Sequence, residues 1–387
     1  MHAATHASDM PPLSLYIHIP WCVRKCPYCD FNSHQAAAAL PQDEYVAALL
    51  ADLSADAPMA RGRRIDTVFF GGGTPSLFDA ESIARIIDGV DAIVPLARGA
   101  EITLEANPGT IEHGRFEGYH RARVNRLSIG VQSFDDHALQ RIGRIHGADD
   151  ARRAVREAQD AGIAELNLDL MYALPGQTLD AALRDVEAAV ALAPTHLSHY
   201  QLTVEPNTLF AARPPVLPDD DSAWLMQEAC QDALAGAGYI QYEISAYARD
   251  GHRCRHNLAY WSFADYLGIG AGAHGKATLG DGSILRTRKA TLPRSYLARA
   301  ASREAFGTTE TVPLEQLPFE FMLNALRLHE GFAPAAFEAG TGLPLARIQP
   351  LLELAFARDW LHSEHGRIRP TALGRRFLND VTGLFLP

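Results

Sequence analysis

The sequence predicts an α/β protein, in which a partial (β/α)6 barrel is followed by a smaller, mainly helical C-terminal domain of winged-helix-like shape. Two observations support this prediction. Over the first two-thirds of the chain, short β-branched or apolar runs alternate with longer helical patterns, as in successive βα units. At 387 residues the chain also exceeds the size at which one hydrophobic core usually stops growing. Because six βα units are too few for a closed eight-stranded barrel, we expect an open one.

Six segments have the composition of buried strands: Leu13–Ile19, Ile65–Phe70, Glu101–Ala106, Asn125–Val131, Glu165–Met171 and His196–Leu202. Helical patterns follow or separate them, at Asp43–Leu53, Ser82–Ile93, Glu112–Arg121, Asp135–Ile142, Ala148–Ala161 and Leu179–Leu192. In the second of these helices the apolar residues recur at three-and-four spacing, which indicates one buried face: Ile83, Ile86, Ile87 and Val90.

The pattern changes in the last third of the chain. The Pro- and Asp-rich stretch Arg213–Asp221 predicts a linker, and the helix Ser222–Ala237 follows it. Near the end we expect a β wing at Leu361–Arg369 and a last helix at Thr371–Val381. The sequence therefore predicts three parts: a barrel at residues 1–210, a flanking region at 211–300 and a C-terminal domain at 301–387.

The bulk composition excludes several classes of function. The chain has 47% hydrophobic and 21% charged residues, as ordinary globular proteins do. Its net charge of −11 repels a phosphate backbone, so we expect no nucleic-acid partner. No apolar run is long enough to cross a bilayer and the N-terminus has no signal pattern, which predicts a cytoplasmic protein without a transmembrane segment.

Three of the five cysteines fall within eight residues, in the loop that leaves the first predicted strand. Cys22, Cys26 and Cys29 have the spacing CxxxCxxC, and close cysteines in a long intracellular chain are typical of metal ligands. Three thiolates can hold three corners of a [4Fe–4S] cluster and leave the fourth iron open to a small molecule. A structural zinc is the alternative, and it would need His18 or His34 as a fourth ligand. The sequence favours the cluster. The isolated Cys230 is expected to be a small core residue.

This cysteine motif resembles that of the radical S-adenosylmethionine (SAM) superfamily. The resemblance implies that SAM chelates the open iron and that the reduced cluster can cleave it to a 5′-deoxyadenosyl radical. Gly71–Pro75, directly after the second strand, resembles the Gly-rich loop that contacts SAM in that superfamily. A tight turn before a helix is the plainer interpretation of the same glycines.

Further segments extend the resemblance over nearly the whole chain: Ile129–Phe134, Arg141–His146, Asn167–Met171, Leu174–Gly176 and Glu205–Thr208. They are similar to the group that contains oxygen-independent coproporphyrinogen III oxidase and a family of haem chaperones. In that group's pattern the following residues fall on SAM-contact positions: Tyr16, Tyr28, Gly72, Gly73, Thr74, Glu105, Gln132, Arg144 and Asp169. Caps, inter-strand bridges and surface charges are alternative roles for these polar residues.

Two departures favour the haem-chaperone family over the oxidase. The oxidase pattern has a further cysteine two residues after the third ligand, where this chain has Phe31. It also has an N-terminal extension, whereas only about a dozen residues precede the first strand here. In addition, His256–Trp261 matches the HNxxYW pattern that resembles the chaperones' haem site.

The HNxxYW segment offers an imidazole, His256, beside two flat aromatic rings, Tyr260 and Trp261. A hydrogen-bonded core histidine with packing aromatics is the alternative, and Cys254 is a second candidate ligand. The resemblance implies haem as cargo, haemoproteins as acceptors and an uncertain enzymatic role. It leaves open coproporphyrinogen oxidation, another radical reaction, a homodimer and a weak peripheral membrane contact.

Overall fold

The computed structural model describes residues 10–36, 39–110, 115–302 and 304–387. Six parallel strands form an open barrel wall, as the sequence predicts: β1 (Leu13–Ile19), β2 (Ile65–Gly72), β3 (Leu96–Ala106), β4 (Arg126–Gln132), β5 (Glu165–Tyr172) and β6 (His196–Gln201). Each predicted strand is present with bounds within two residues, except that β3 begins five residues earlier than expected.

Helices cover the outside of this wall: α1 (Gln42–Asp56), α2 (Ala80–Ile93), α3 (Arg115–Arg121), α4 (Asp136–Arg141), α5 (Ala148–Asp160) and α6 (Leu179–Ala191). The predicted helix Glu112–Arg121 corresponds to α3, and its residues 112–114 lie outside the described residues. Side chains that precede the helices fix where some of them begin. The Asp79 carboxylate accepts a hydrogen bond from the Ser82 amide at 2.7 Å, and the Thr178 hydroxyl accepts one from the Ala181 amide at 3.2 Å.

Alternation along β1 separates two environments. Leu13, Leu15 and Ile17 are fully buried in the main hydrophobic core, which also includes the apolar face of α2. Ser14 and Tyr16 alternate with them and therefore point to the barrel interior. The interior is polar, so it can hold ligands or hydrogen-bonded side chains.

The sheet continues well beyond the six predicted strands. The added strands are β7 (Ile240–Gln241), β8 (Ala246–Ala248), β9 (Asp265–Ile269), β10 (His274–Thr278), β11 (Ile284–Lys289) and β12 (Gly307–Thr311). Over the described residues the sheet has twelve strands, in the order β12-β11-β10-β9-β1-β2-β3-β4-β5-β6-β8-β7. Strand β9 pairs in parallel with β1, and β10 to β12 add antiparallel neighbours.

Three buried charged side chains fix β9 and β10 to the barrel. Asp265 is completely buried, and its carboxylate accepts hydrogen bonds from Arg63 at 2.7 Å and from Lys276 at 3.0 Å. The backbone amide and the hydroxyl of Thr278 also donate to it, both at 2.8 Å. Four donors therefore surround one carboxylate, which compensates for its removal from water.

The remaining helices flank the barrel or build the C-terminal domain: α7 (Leu209–Ala212), α8 (Asp220–Gly236), α9 (Arg255–Trp261), α10 (Pro293–Ser302), α11 (Leu317–Ala325), α12 (Pro334–Thr341), α13 (Gln349–Ala357), α14 (Ala372–Arg376) and α15 (Leu378–Gly383). The predicted wing is a hairpin of β13 (Leu361–Glu364) and β14 (Arg367–Pro370). The prediction of one last helix was wrong, because the helix is interrupted at Phe377. Cys230 lies in the main core, as expected. Within the described ranges, no helix is both long and apolar enough to span a membrane.

Candidate functional site

A cavity of about 420 Å³ lies at the carboxyl ends of the barrel strands. Its lining comes from the loop after β1 and from the ends of β2 to β6. Because the βα loops of a parallel barrel gather at this edge, side chains that are distant in the sequence meet here. Eight of the nine predicted SAM-contact residues and all three clustered cysteines line it: Tyr28, Gly72, Gly73, Thr74, Glu105, Gln132, Arg144, Asp169, Cys22, Cys26 and Cys29.

The cysteine loop is anchored on both sides. Trp21 and Cys22 pair in parallel with His34 and Gln35, so the loop between them returns to its starting point. At its far end the Asn32 amide group donates to the backbone carbonyls of Ala271 and Thr291, both at 2.9 Å. The segments after β9 and after β11 therefore help to position the thiols.

The donor set fits an iron–sulfur cluster. Three thiols line one cavity, and burial raises the pKa of Cys22 and of Cys29, so cluster binding must displace protons. The Arg144 guanidinium donates to the Cys26 sulfur at 3.7 Å. Among the described residues no three His, Cys, Asp or Glu side chains converge on a single metal ion. In a [4Fe–4S] cube each thiol binds a different iron, so convergence on one point is not required.

The zinc alternative needs His18 or His34 as a fourth ligand, and neither of them lines the cavity. The two ring nitrogens of His18 bond to the Tyr16 hydroxyl at 3.0 Å and to the Asn32 carbonyl at 2.8 Å. His34 Nε2 bonds to the Asn32 side chain at 3.2 Å. These contacts support the cluster over zinc.

Two buried carboxyl groups form the inner wall of the cavity. Burial, with the neighbouring Asp169 carboxylate, raises the pKa of Glu105 to about 8. Burial raises the pKa of Asp169 to about 6, against hydrogen bonds that stabilise its charge. Asn167 donates to Asp169 at 2.7 Å, and the Gly72 amide donates to Glu105 at 3.2 Å. This wall suits a cationic ligand, because a nearby positive charge would favour both ionised forms.

Hydrogen-bond donors also line the cavity. Arg144 donates to the Gly130 carbonyl at 2.6 Å, while its Nε is buried and has no hydrogen-bond partner within the described ranges. Gln132 has a positive φ of 70°, which is an uncommon conformation for a residue other than glycine. Its side-chain amide oxygen, Oε1, accepts a hydrogen bond from the Tyr200 hydroxyl at 2.8 Å. The Arg144 Nε–H group is therefore a buried donor that is available to a ligand in the cavity.

The glycines of the Gly-rich loop are needed for backbone packing. A Cβ at Gly73 would lie 2.5 Å from the Trp21 carbonyl oxygen, and one at Gly72, where φ is +111°, would lie 2.4 Å from the His18 ring. The Gly73 and Thr74 amides donate to the Ile19 and Trp21 carbonyls at 2.8 and 2.7 Å. These glycines thus let the end of β2 pack against the chain as it leaves β1.

Tyr16 does not line the cavity, whereas several residues that do were not among the predicted site residues. Tyr16 lies beside Phe69, with a ring separation of 6.4 Å. Ser128 and Tyr200 are two polar residues of the lining that the sequence analysis missed. Tyr200 could have been found, since it lies near the carboxyl end of the last barrel strand, like the residues that were predicted.

The HNxxYW segment forms helix α9, near the amino ends of β2 and β3. His256 is only 1% exposed, and its ring nitrogens bond to the Thr67 hydroxyl at 2.7 Å and to the Tyr260 hydroxyl at 3.2 Å. Burial lowers its pKa to about 3, so the imidazole is neutral at physiological pH. The Arg327 guanidinium lies over the Trp261 ring, 4.2 Å from the ring centre.

Glu101 on β3 binds the start of α9. Its carboxylate accepts from the Arg255 and His256 amides at 3.1 and 2.9 Å, and from the Cys254 thiol at 3.6 Å. Burial, with the Glu101 charge, raises the pKa of Cys254 to about 12. Cys254 is therefore a protonated donor, which weakens it as a haem ligand relative to His256.

The Glu105 pKa predicts a pH dependence of stability in the metal-free protein. The folded state keeps this proton up to about pH 8, whereas the unfolded chain loses it near its ordinary value. The contribution of Glu105 to the free energy of unfolding should therefore be fully present below the ordinary pKa of a glutamate, and it should be lost as the pH rises toward 8. Urea unfolding from pH 5 to pH 8 should show a smaller fall for Glu105→Gln than for the wild type. The exposed Glu117→Gln serves as control, and parallel profiles for all three proteins would contradict the prediction.

The fold and the thiol-lined cavity define a protein of the radical SAM superfamily. The model of that superfamily matches residues 16–189, and the model of the HemN C-terminal domain matches residues 312–377. The haem chaperone HemW of Escherichia coli (strain K12) is 52% identical, over 97% of this chain and 99% of its own. The chain belongs to the HemW family.

Other comparisons agree. HemW of Haemophilus influenzae is 48% identical over 97% of this chain and 98% of its own, and HemW of Bacillus subtilis is 34% identical over 96% and 99%. The solved structure of coproporphyrinogen III oxidase (HemN) from Escherichia coli matches over 97% of this chain and 90% of its own, with a TM-score of 0.82. At 22% identity that structure supports the fold alone.

Proposed function

We propose that this protein is a haem chaperone: it binds haem, holds a [4Fe–4S] cluster with SAM, and passes haem to acceptor haemoproteins. The observation that carries the proposal is the 52% identity over 97% of the chain to a haem chaperone. Phe31 supports it against the oxidase. This side chain lines the cavity, is 59% exposed and supplies no further thiol.

In this proposal Cys22, Cys26 and Cys29 hold the cluster, and the cavity walls hold SAM. Bound together, the cluster and SAM supply one-electron chemistry at the open iron. Glu105 and Asp169 would face the positively charged part of SAM. Arg144, whose Nε has no hydrogen-bond partner among the described residues, would face the carboxylate of SAM. The buried position of these groups excludes bulk water and strengthens each interaction.

We propose His256 as the haem ligand, with Tyr260 and Trp261 nearby. Each ring nitrogen of His256 has a hydroxyl partner, so iron must displace one of them. Because the imidazole is neutral, its nitrogen can ligate without first losing a proton.

His256→Ala should therefore weaken haem binding by about tenfold or more and remove the spectrum of histidine-ligated haem. Titration of the reconstituted protein with haem, followed by absorbance, measures both. His199→Ala is the matched control, since His199 is another buried histidine of the barrel, with its pKa lowered to about 4 by burial. Equal affinities in the wild type and the His256 variant would move the haem site elsewhere.

Haem transfer itself is tested with haem-loaded protein and an apo-haemoprotein acceptor. We expect the absorbance of the haem-loaded acceptor to appear faster when this protein delivers the haem than when free haem is added at the same concentration. Formation of protoporphyrinogen from coproporphyrinogen III by the pure reconstituted protein would instead support the oxidase function and overturn the chaperone proposal.

The division of the chain into residues 1–210, 211–300 and 301–387 belongs to the same proposal. The C-terminal part has its own hydrophobic core, formed mainly by residues after Val312. That core also takes in Phe263 and Ile284 from the flanking region, which therefore connects the two larger parts.

A further inference from the structure

A second cavity, of about 560 Å³, lies at the amino ends of β1 and β2, on the side of α9 that faces the C-terminal domain. We call it the α9–α12 cleft. It is lined by three groups of residues: Met10, Pro11, Pro12, Ser14, Asp66 and Thr67 from the barrel, Arg255, Leu258, Ala259, Ser262, Phe263 and Ala264 from α9 and the segment after it, and Ala336, Ala339 and Gly340 from α12.

Small residues line both helical sides of the cleft. Ala259 and Ser262 lie on one side, and Ala336, Ala339 and Gly340 on the other. Gly340 is also close to the neighbouring aromatics, since a Cβ there would come within 3.2 Å of the Phe263 ring. The small residues leave room between α9 and α12, and Leu258 and Phe263 add apolar surface, so the cleft suits an apolar ligand. Its volume is in the range of ligand pockets, about 300–1,000 Å³.

The charges at the cleft favour an occupant with carboxylates at one edge. Arg255 is exposed, and one of its guanidinium nitrogens donates to the Gly99 carbonyl at 2.8 Å, which holds it in place. Asp66 is the acidic residue of the lining. A carboxylate of the ligand would therefore pair with Arg255 and be repelled by Asp66, and these two effects together orient the ligand.

The barrel wall of the cleft reaches His256. The Thr67 hydroxyl, which lines the cleft, donates to Ser14 at 2.9 Å and bonds to His256 Nδ1 at 2.7 Å. An occupant that rests on Thr67 is thus one hydroxyl group away from the imidazole.

We propose that the α9–α12 cleft binds the macrocycle of a protoporphyrin, with Arg255 pairing with a carboxylate side chain, so that recognition of the flat ring is separate from ligation of its metal. This rests on the proposed haem-chaperone function and assigns its cargo a place between the barrel and the C-terminal domain. The cleft is at the opposite end of the strands from the thiol-lined cavity.

The test uses full-length reconstituted protein and two probes, haem and metal-free protoporphyrin IX. Ala339→Phe places an aromatic ring in the α9–α12 cleft from the α12 side, and Ser262→Phe does so from the α9 side. Both should weaken binding of both probes by about tenfold or more, with iron content unchanged. Ala335→Phe is the matched control, because Ala335 is also exposed on α12 but does not line the cleft. It should bind both probes like the wild type.

The metal-free probe separates this proposal from the function on which it rests. His256→Ala should weaken haem binding but leave protoporphyrin IX binding within about twofold of the wild type. Wild-type affinity for protoporphyrin IX in both cleft-filling variants would overturn the cleft assignment and leave the chaperone function standing. Failure of the wild type to bind haem at all would overturn the function itself.

Discussion

Replacing Cys26 with alanine is expected to abolish the iron–sulfur cluster. The three thiols share one cavity, and the loss of any of them leaves two protein ligands for a cube that needs three. Cys26 is the most informative of the three, because its sulfur also accepts the Arg144 hydrogen bond. After anaerobic reconstitution the iron content should fall from ~4 atoms per chain to near zero, and the broad visible absorption should disappear.

Cys230→Ala is the control for this experiment. Cys230 is fully buried on α8, within the main core and away from the cavity, and burial raises its pKa to about 12. It should retain a full complement of iron and sulfide. Retention of four irons and four sulfides in the Cys26 variant would refute the cluster assignment.

The second large effect concerns stability. Asp265→Ala should lower the free energy of unfolding by about 3–5 kcal/mol, because it leaves the buried cations Arg63 and Lys276 without their common carboxylate. Urea denaturation followed by circular dichroism measures this loss. Since the segments after β9 and after β11 hold Asn32 in the cysteine loop, cluster content should also decrease in the folded fraction.

Asp88→Ala is the comparison for Asp265→Ala, because the Asp88 ion pair has a similar N···O distance but is exposed to solvent. Asp88 pairs with Arg123 at 2.8 Å, and its side chain is 75% exposed. Exposed pairs contribute about 0–1 kcal/mol, so this variant should unfold nearly like the wild type. Similar losses for the two variants would show that burial of the Asp265 group is not what makes it important.

The barrel was predictable from sequence because its signals are local. Each strand of the wall is a short apolar run, and the buried face of α2 follows from the spacing of its isoleucines. The cavity followed from the same signals, since the residues after successive parallel strands gather at one edge. The early start of β3 was missed because Arg98 and Gly99 interrupt its apolar run.

The added strands were not predictable in this way. Asp265, Lys276 and Lys289 have the composition of exposed loops, yet all three are buried. Their polar groups are satisfied by partners far away in the chain: Arg63 bonds to Asp265 across 202 positions, and Asp52 bonds to Lys289 across 237. No local pattern reports such pairing. The sequence offered a hydrogen-bonded core histidine as one interpretation of His256, and the structure shows that this side chain is buried, with a hydroxyl partner on each ring nitrogen.

The contact of Glu101 with the start of α9 has a consequence for the order of folding. A helix of seven residues is too short to persist alone in water, and the residue before it, Cys254, supplies no side-chain cap. Its first amides are instead bound by a carboxylate that belongs to β3, more than 150 positions earlier. We therefore expect the helix that carries His256 to persist only when β3 is in place, so that its formation depends on folding of the barrel.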